Sequence, residues 1–255
     1  DMPVQREDQL TIEEPFEVRI GHQSLAVIMR TPGNDVELAL GFLLTEGVIQ
    51  QPEDVLALES DVDEEGLPLA NVLNITLRSQ LQQSSIRPQP TTFERHFAVS
   101  ASCGLCGKNS IADLMLSVPP LELEDIVHIR AATFYELAAQ LRSRQKVFQY
   151  TGGLHAAGLF NTIGELQLLR EDIGRHNAVD KLIGYGLLHR SFPYREAILM
   201  VSGRTSFEII QKALLARIPC VAAISAPSSL AVELAEQGGI TLIGFRRDHS
   251  MDVYT

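Results

Sequence analysis

Short apolar runs separated by turn-forming residues characterise the N-terminal part of the chain. The runs "PFEVRIG" and "LAVIMRT" predict two strands, and the stretch Gly21–Ser24 between them predicts a hairpin turn. Further along, "NVLNITLR" alternates apolar and polar residues, which predicts a third strand. The N-terminal part is therefore predicted to contain a small sheet.

One helix is predicted between these strands. In "TPGNDVELALGFLLTEGVI", Asn34 or Asp35 precedes an apolar stretch as a helix cap, and Gly47 ends it. The acidic passage "QQPEDVLALESDVDEEGLPLA" combines charged and turn-forming residues, and it predicts a solvated surface. Together with the strands, these segments predict a small α+β unit.

Strand-like and helix-like runs alternate in the C-terminal part. The segment "AATFYELAAQLRSRQKVFQ" predicts a helix, and "GGLHAAGLF" and "GELQLLRED" predict a β-hairpin after it. The later runs are, in chain order, helix "HNAVDKLIGYGLLHR", strand "EAILMVSG", helix "SFEIIQKALLAR", strand "CVAAISA", helix "SSLAVELAEQ" and strand "ITLIGF". Apolar strands joined by helices are typical of a parallel sheet covered on both faces. The chain is thus predicted to have an N-terminal α+β domain over residues 1–120 and a C-terminal α/β domain over residues 121–255.

Composition limits the classes of protein to which the chain can belong. It has 255 residues, 45% of them hydrophobic, so it can bury a full core. The formal net charge of −11 argues against general nucleic-acid binding. There is no apolar run of the roughly 18 residues that a membrane span needs, and "DMPVQREDQL" has no apolar signal core. Three cysteines do not form a disulfide framework, which favours the reducing cytoplasm.

Polar clusters follow several predicted strands of the C-terminal domain. Ligands of open α/β sheets bind at the carboxyl ends of strands, so these clusters predict a binding edge. Glycine, hydroxyl groups and arginine ahead of a helix suit a phosphate group, and the absence of GxxxxGK[ST] excludes a P-loop. The clusters are "REDIGRHNAVDK" with Arg175 and His176, "SGRTSFE" with Arg204, Thr205 and Ser206, "SAPSS", and "FRRDHSMDVYT". The alternative for these loops is helix capping and surface ion pairing, and for Asp172, Arg175, Asp180 and Lys181 it is an ion-pair network that positions the helix.

Two of the three cysteines lie close together in "SASCGLCGKNS". Cys103 and Cys106 each precede a glycine, and Lys108 follows them, a setting that favours thiolates. A structural zinc site needs two such pairs, and a zinc deaminase carries H-x-E and P-C-x-x-C, which the chain lacks. Cys220 lies in an apolar strand and is predicted to be buried. On spacing alone, a redox switch and a sulfur carrier both remain open for the pair.

Seven segments together resemble the formate dehydrogenase accessory sulfurtransferase family. They lie in the family's order between Glu13 and Tyr254, and the joint presence of "SCGLCG" and "REDIGRHNAVDK" is highly specific. The segments are "EEPFEVRI", "MRTPGNDVELALGFLLTEGVI", "SASCGLCGK", "GGLHAAGLF", "REDIGRHNAVDKLIG", "SGRTSFEIIQKA" and "ITLIGFRR".

The resemblance implies that the protein takes sulfane sulfur from a cysteine desulfurase. It would pass this sulfur to the molybdenum bis(molybdopterin guanine dinucleotide) cofactor that formate dehydrogenase uses. The resemblance also implies a homodimer and a cytidine-deaminase-like C-terminal α/β domain without the zinc, so no structural metal is expected. Cys103 matches the persulfide-bearing position, and Cys106 is a helper. The residues expected to contact the cofactor are Phe245, Arg246, Arg247, Asp248, His249, Ser250, Arg204, Thr205, Ser206, Arg175 and His176.

Two other functions stay open beside this one. A thiol–disulfide oxidoreductase would require both Cys103 and Cys106 and no desulfurase. A non-catalytic cofactor chaperone would require the arginine-bearing edge of the sheet but not the thiols.

Overall fold

The computed structural model describes residues 7–63, 65–78, 119–245 and 250–255. Within these ranges the chain forms two β-sheets and six α-helices, so the prediction of a mixed α/β fold is confirmed. None of the helices in this part of the chain has the length and apolar character that crossing a membrane requires.

The first sheet has four strands and contains the predicted hairpin. Its strands are β1 (Glu14–Ile20), β2 (Gln23–Arg30), β3 (Val55–Val62) and β4 (Pro68–Leu77). Their order is β2-β1-β4-β3, with β1 and β4 parallel and the other pairs antiparallel. The hairpin turn is shorter than predicted and consists of Gly21 and His22, which both have the positive φ that a tight two-residue turn of this kind requires.

Strand β3 corrects the prediction of a solvated, turn-rich surface. Val55 and Leu58 of β3 pack against the hydrophobic core. Near the end of β3, Asp61 forms an ion pair with Arg19 of β1 at 2.5 Å. The sequence did not reveal this strand because the acidic residues within it and on either side obscure the spacing of its apolar positions.

The first helix, α1 (Asp35–Thr45), begins and ends where the sequence predicts. Asn34 precedes it with a left-handed φ of 58°, and Gly47 follows it with φ 73°. Arg30, which is buried at the end of β2, donates to both carboxylate oxygens of Asp35 at 2.9 and 3.0 Å. This pairing ties the first turn of α1 to the sheet.

The second sheet has six strands in the order β10-β9-β8-β7-β5-β6. The strands are β5 (His155–Asn161), β6 (Leu166–Asp172), β7 (Ala197–Val201), β8 (Cys220–Ala223), β9 (Thr241–Phe245) and β10 (Met251–Val253). Strands β7, β8 and β9 are parallel, β5 is antiparallel to β6 and β7, and β10 is antiparallel to β9. The predicted hairpin and parallel sheet are confirmed. Strand β10 was not predicted, since three residues are too few to show a period.

Five helices accompany this sheet: α2 (Ala131–Arg144), α3 (Lys146–Thr151), α4 (Arg175–His189), α5 (Phe207–Leu215) and α6 (Ser229–Gly238). Helices α2 and α3 replace the single helix that the sequence predicts. The carboxylate of Glu171 accepts hydrogen bonds from the backbone N–H groups of Val147 and Phe148 at 3.1 and 2.9 Å. These bonds cap a new helix start, which an apolar pattern alone does not reveal.

The buried residues form two clusters, one on each face of the second sheet. On one face, α2 contributes Phe134, Leu137 and Leu141, which pack with Phe160 and Met200. On the other face, α4, α5 and α6 share a single cluster with α1 and the first sheet. The predicted domain boundary at residue 120 adjoins a range outside the described residues and stays a prediction.

Helices α1 and α4 cross at a very short distance because each has a glycine at the contact. A methyl group on Gly41 of α1 would lie 1.9 Å from the carbonyl oxygen of Asp180. A methyl group on Gly184 of α4 would lie 1.7 Å from the carbonyl oxygen of Glu37. Both obstacles are backbone atoms, which cannot rotate away. The two glycines therefore set the separation of the helices that join the two sheets.

A buried ion pair lies beside this crossing. Lys212 of α5 donates to both carboxylate oxygens of Asp180 at 2.7 and 2.8 Å, and to the hydroxyl of Thr45 on α1 at 2.8 Å. Burial raises the pKa of the Asp180 carboxyl, although the Lys212 ammonium and the Thr45 hydroxyl oppose the rise. Because a buried charge without its partner is strongly destabilising, this group of side chains resists separation of α1 from α4 and α5.

Replacement of Gly41 or Gly184 by alanine is expected to lower the free energy of unfolding by about 1–3 kcal/mol or more, because the helices must move apart. Gly238→Ala is a matched control in α6, where the added methyl would meet only the flexible side chain of Leu214. Urea titration of the three variants measures the effect. If Gly41→Ala and Gly184→Ala lose no more stability than Gly238→Ala, the crossing does not constrain the fold.

Candidate functional site

Four strands of the second sheet end at the same edge. Strands β7, β8 and β9 are parallel, and β6 has their direction because β5 is antiparallel to both β6 and β7. Their carboxyl ends therefore lead into loops on one side of the sheet. We term this side the rim: the loops 173–174, 202–206 and 224–228, and the first turn of the helix after each. The topology thus brings the predicted polar clusters together.

The loop between β7 and α5 packs closely on the start of β5. Ser202 exchanges two hydrogen bonds with Ala156: its hydroxyl accepts at 2.8 Å and its backbone N–H donates at 2.9 Å. Gly203 is buried, and a methyl group there would lie 3.3 Å from Nδ1 of His155 and 3.7 Å from Cδ of Arg175. The small residue lets these two side chains approach the backbone, while Arg204 next to it is exposed.

Arg175, at the start of α4, is a cation without an ion-pair partner among the described residues. Its Nε is buried and donates to no hydrogen-bond acceptor within these ranges. The charge of Arg175 also affects a neighbouring side chain: burial and the nearby Arg175 together lower the pKa of His155. A guanidinium held in this way is suited to an anionic ligand.

Thr205 presents a second unused polar group on the rim. Its side chain is fully buried, and its hydroxyl has no hydrogen-bond partner in the part of the chain that the structure describes. Its carbonyl oxygen accepts from the backbone N–H of Ser228 at 3.0 Å, which joins two rim loops. Buried hydroxyls are usually paired, so an unpaired one beside a cation is a candidate ligand contact.

Helices α4 and α5 both begin at the rim without a capping side chain. Gly174 precedes α4 and Ser206 precedes α5, and neither makes a side-chain hydrogen bond to the first turn. Free N–H groups at a helix N-terminus carry a partial positive charge and favour phosphate or carboxylate groups. Arg175, Arg204 and the two helix starts therefore place positive charge at the rim, beside the carboxylate of Glu208 in the first turn of α5.

His176, the second residue of α4, is held between Ser206 and Glu208. Its Nε2 lies 3.2 Å from the Ser206 hydroxyl and 3.8 Å from the Glu208 carboxylate. Whether Nε2 of the neutral His176 donates to the Ser206 hydroxyl or accepts from it depends on the tautomer of the ring. Burial, with the charges of Arg175 and Lys212, lowers the pKa of His176 to about 4, although Glu208 opposes this. His176 is therefore neutral at physiological pH.

Glu208 contacts His176 through its carboxylate. The sequence prediction did not include this acidic side chain in the site. Burial raises the pKa of Glu208, but hydrogen bonds from the Ser206 hydroxyl and its own backbone N–H hold it below the usual range. Its spacing two residues after Ser206 carries no distinctive signal. Only packing of α4 against α5 reveals the contact.

The remaining predicted site residues divide into two groups. Phe245 ends β9 and packs on the cluster beneath α2, and Ser250 is an exposed residue just before β10. Both lie on the strand-end side of β9. Outside the described residues lie Cys103, Cys106, Arg246, Arg247, Asp248 and His249.

The four-residue ion-pair cluster considered from the sequence is instead two separate pairs. Asp172 pairs with Lys181 at 2.7 Å, and Asp180 pairs with Lys212, which the sequence did not suggest. All four side chains are buried, and Arg175 belongs to neither pair. The pair of Asp172 and Lys181 does position the helix, as one interpretation of the sequence held, but both pairs are buried against the helices and the first sheet rather than at the surface.

His176 is expected to make the fold sensitive to acid. The pKa falls from 6.5 to about 4 on folding, so the unfolded chain takes up a proton first and stability is lost as the pH falls from about 6.5 towards 4. Urea titrations at several pH values should show a smaller loss for His176→Gln than for the wild type. His128→Gln, at an exposed position, is the control. Equal pH dependence in the wild type and His176→Gln would contradict burial of a neutral His176.

Comparison with known proteins finds relatives that span nearly the whole chain. The model of the FdhD/NarQ family matches residues 11–255. The chain is 48% identical to the sulfur carrier protein FdhD of Nocardia farcinica over 99% of this chain and 88% of that protein. It is 43% identical to the sulfur carrier protein FdhD of Sulfurisphaera tokodaii over 98% of this chain and 90% of that protein.

A solved structure has the same fold. The crystal structure described as a formate dehydrogenase accessory protein from Desulfotalea psychrophila matches with a TM-score of 0.70 and 24% identity, over 97% of this chain and 89% of that one. The family match spans both sheets and all the rim loops. The chain therefore belongs to the FdhD/NarQ family.

Proposed function

We propose that this protein is a sulfurtransferase that works through a persulfide on Cys103. It takes sulfur from a cysteine desulfurase and delivers it to the molybdenum bis(molybdopterin guanine dinucleotide) cofactor, which formate dehydrogenase requires. The observation that carries the proposal is the paired-cysteine segment "SCGLCG" in a chain whose full-length relatives are named sulfur carrier proteins.

The loading step is an exchange between sulfur atoms. The Cys103 thiolate attacks the outer sulfur of the desulfurase persulfide, so that one S–S bond forms on Cys103. The S–S bond of the desulfurase breaks, and its cysteine leaves as a thiolate. The step consumes no oxidant or reductant, and it requires an acceptor sulfur that is accessible and deprotonated.

The third cysteine does not meet these requirements. Cys220 is 1% exposed in β8, and burial raises the pKa of its thiol to about 12. At physiological pH it is a neutral thiol enclosed by apolar side chains. The reactive sulfur is therefore assigned to the cysteine pair, and within the pair the family resemblance assigns it to Cys103, with Cys106 as its helper.

The rim supports the assignment of a phosphate-bearing substrate. A guanine dinucleotide presents pyrophosphate oxygens, which match the uncapped starts of α4 and α5, the two arginines and the unpaired Thr205 hydroxyl. The neutral His176 adds a hydrogen-bonding group without adding charge. On the family resemblance, we assign Phe245, Arg246, Arg247, Asp248, His249 and Ser250 to the same substrate.

The proposal includes a homodimer acting in the cytoplasm, where ambient thiols would remove a persulfide sulfur left exposed. A thiol–disulfide oxidoreductase using Cys103 and Cys106 is the second candidate. The same cysteine pair supports this function, but an oxidoreductase of this kind would not need a rim that binds phosphate.

Cys103→Ala is expected to abolish sulfur loading without unfolding the chain. Intact mass after incubation with a cysteine desulfurase and cysteine should show a reducible gain of one sulfur atom on the wild type and none on Cys103→Ala. Cys106→Ala should retain loading, and Cys220→Ser should retain loading but lose stability, since it places a hydroxyl in a buried strand.

Two results would reject this assignment. Full loading of Cys103→Ala would exclude Cys103 as the carrier. A loss of two protons in the wild type, with no gain of sulfur, would favour the oxidoreductase.

Arg175→Gln and Arg204→Gln are each expected to weaken binding of GDP about ten- to a hundredfold, because each removes a charge-assisted phosphate contact. Isothermal titration calorimetry measures the affinity. Arg144→Gln, at an exposed position on α2, should bind as the wild type does, and all three variants should load sulfur normally. Unchanged GDP affinity in both rim variants would place the ligand elsewhere.

A further inference from the structure

The carboxylate of Asp172 organises the turn that leads from β6 into α4. Its Oδ1 accepts hydrogen bonds from the backbone N–H of Gly174 and from Nδ2 of Asn177, both at 2.8 Å. Its Oδ2 accepts from Lys181 Nζ at 2.7 Å and from the backbone N–H of Thr31 at 3.2 Å. Asp172 is fully buried, so four donors satisfy a charge that has no access to water.

One of these partners, Thr31, comes from the other sheet. It follows β2 directly, and all three of its polar groups face the turn. In addition to the N–H bond to Asp172, its carbonyl oxygen accepts from Lys181 at 2.9 Å and its hydroxyl accepts from the backbone N–H of Ile173 at 3.2 Å. Nearby, Asn177 also donates to the carbonyl oxygen of Met29 at 2.8 Å.

The turn held in this way carries two rim side chains. Arg175 and His176 follow Gly174 as the first residues of α4. The Arg175 side chain lies against Gly203, and His176 contacts Ser206. Both N–H groups of the turn that precede them, those of Ile173 and Gly174, are occupied by Thr31 and Asp172 respectively. The direction of Arg175 and His176 therefore depends on a residue of the first sheet.

We propose that Thr31 is a positioning residue of the rim: its hydroxyl holds the turn 173–174 so that Arg175 and His176 face the phosphate-bearing substrate. The inference deepens the proposed function and rests on it for the identity of the ligand. Through Thr31, which follows β2, the first sheet then helps to shape the binding site.

Loss of the Thr31 hydroxyl leaves the Ile173 N–H without its acceptor and gives the turn alternative conformations. If only part of the population keeps the competent turn, the apparent affinity falls by that fraction. For one hydrogen bond to a neutral group, the expected decrease is about three- to tenfold.

The test compares four variants of the full chain. Thr31→Val removes the hydroxyl at nearly constant shape, and Thr31→Ser restores it. Asn177→Ala removes a different bond to Asp172 and provides a second disruption of the same turn. Thr45→Val is the matched control, since Thr45 also joins the two sheets through its hydroxyl but does so at Asp180 and Lys212. Amide hydrogen exchange of residues 173–176 and calorimetric GDP affinity are the two measurements.

Thr31→Val and Asn177→Ala are expected to speed exchange of residues 173–176 and to lower GDP affinity. Thr31→Ser should return both to wild-type values, and Thr45→Val should change neither even if it lowers global stability. Wild-type exchange in this segment for both disrupting variants would overturn the inference. The same would follow if Thr45→Val speeds exchange as much as Thr31→Val does, because the effect would then be general loosening. Absence of GDP binding by the wild type would reject the phosphate ligand of the proposed function, whereas the exchange comparison would still decide the role of Thr31.

Discussion

The close crossing of α1 and α4 is the constraint on which the rest of the structure depends. Gly41 and Gly184 bring each helix against a carbonyl oxygen of the other, and no side chain separates the two backbones. At this distance a single apolar cluster extends from the first sheet to α5 and α6. The crossing also places the end of β2 against the turn after β6, which is where Thr31 meets Asp172.

The charged side chains beneath α4 and Arg175 at the rim differ in whether they have ion-pair partners. Beneath the helix, each buried carboxylate has an ammonium partner: Asp172 has Lys181 and Asp180 has Lys212. At the rim, Arg175 has no such partner among the described residues. Buried pairs hold the scaffold because separating them exposes an uncompensated charge. An unpaired guanidinium beside two helix N-termini instead leaves a positive potential for a ligand.

Much of the fold could be predicted from the sequence, and the errors have identifiable causes. The parallel strands, their helices and both hairpins follow from apolar periodicity and turn residues. Strand β3 was missed because acidic residues obscure its apolar positions, and α2 and α3 were merged because the cap that separates them comes from Glu171 on another strand. Arg175, His176, Arg204, Thr205 and Ser206 lie at one edge of the sheet, as the sequence predicts, and their role in binding stays a prediction.

By itself, the sequence determined the elements, the candidate residues at the strand ends and the resemblance to a sulfurtransferase family, because these depend on local spacing and short motifs. Only the tertiary structure decided which charges are buried in pairs and which lie at the rim without an ion-pair partner among the described residues. Asp172 and Arg175 are three positions apart and equally polar, yet one is enclosed by four donors and the other is left without an ion-pair partner in the described ranges. Whether a charged side chain is buried or paired depends on helices and strands that are distant in the chain. The local spacing of residues therefore does not show it. For the same reason the sequence did not reveal Thr31, whose partners lie about 140 residues away.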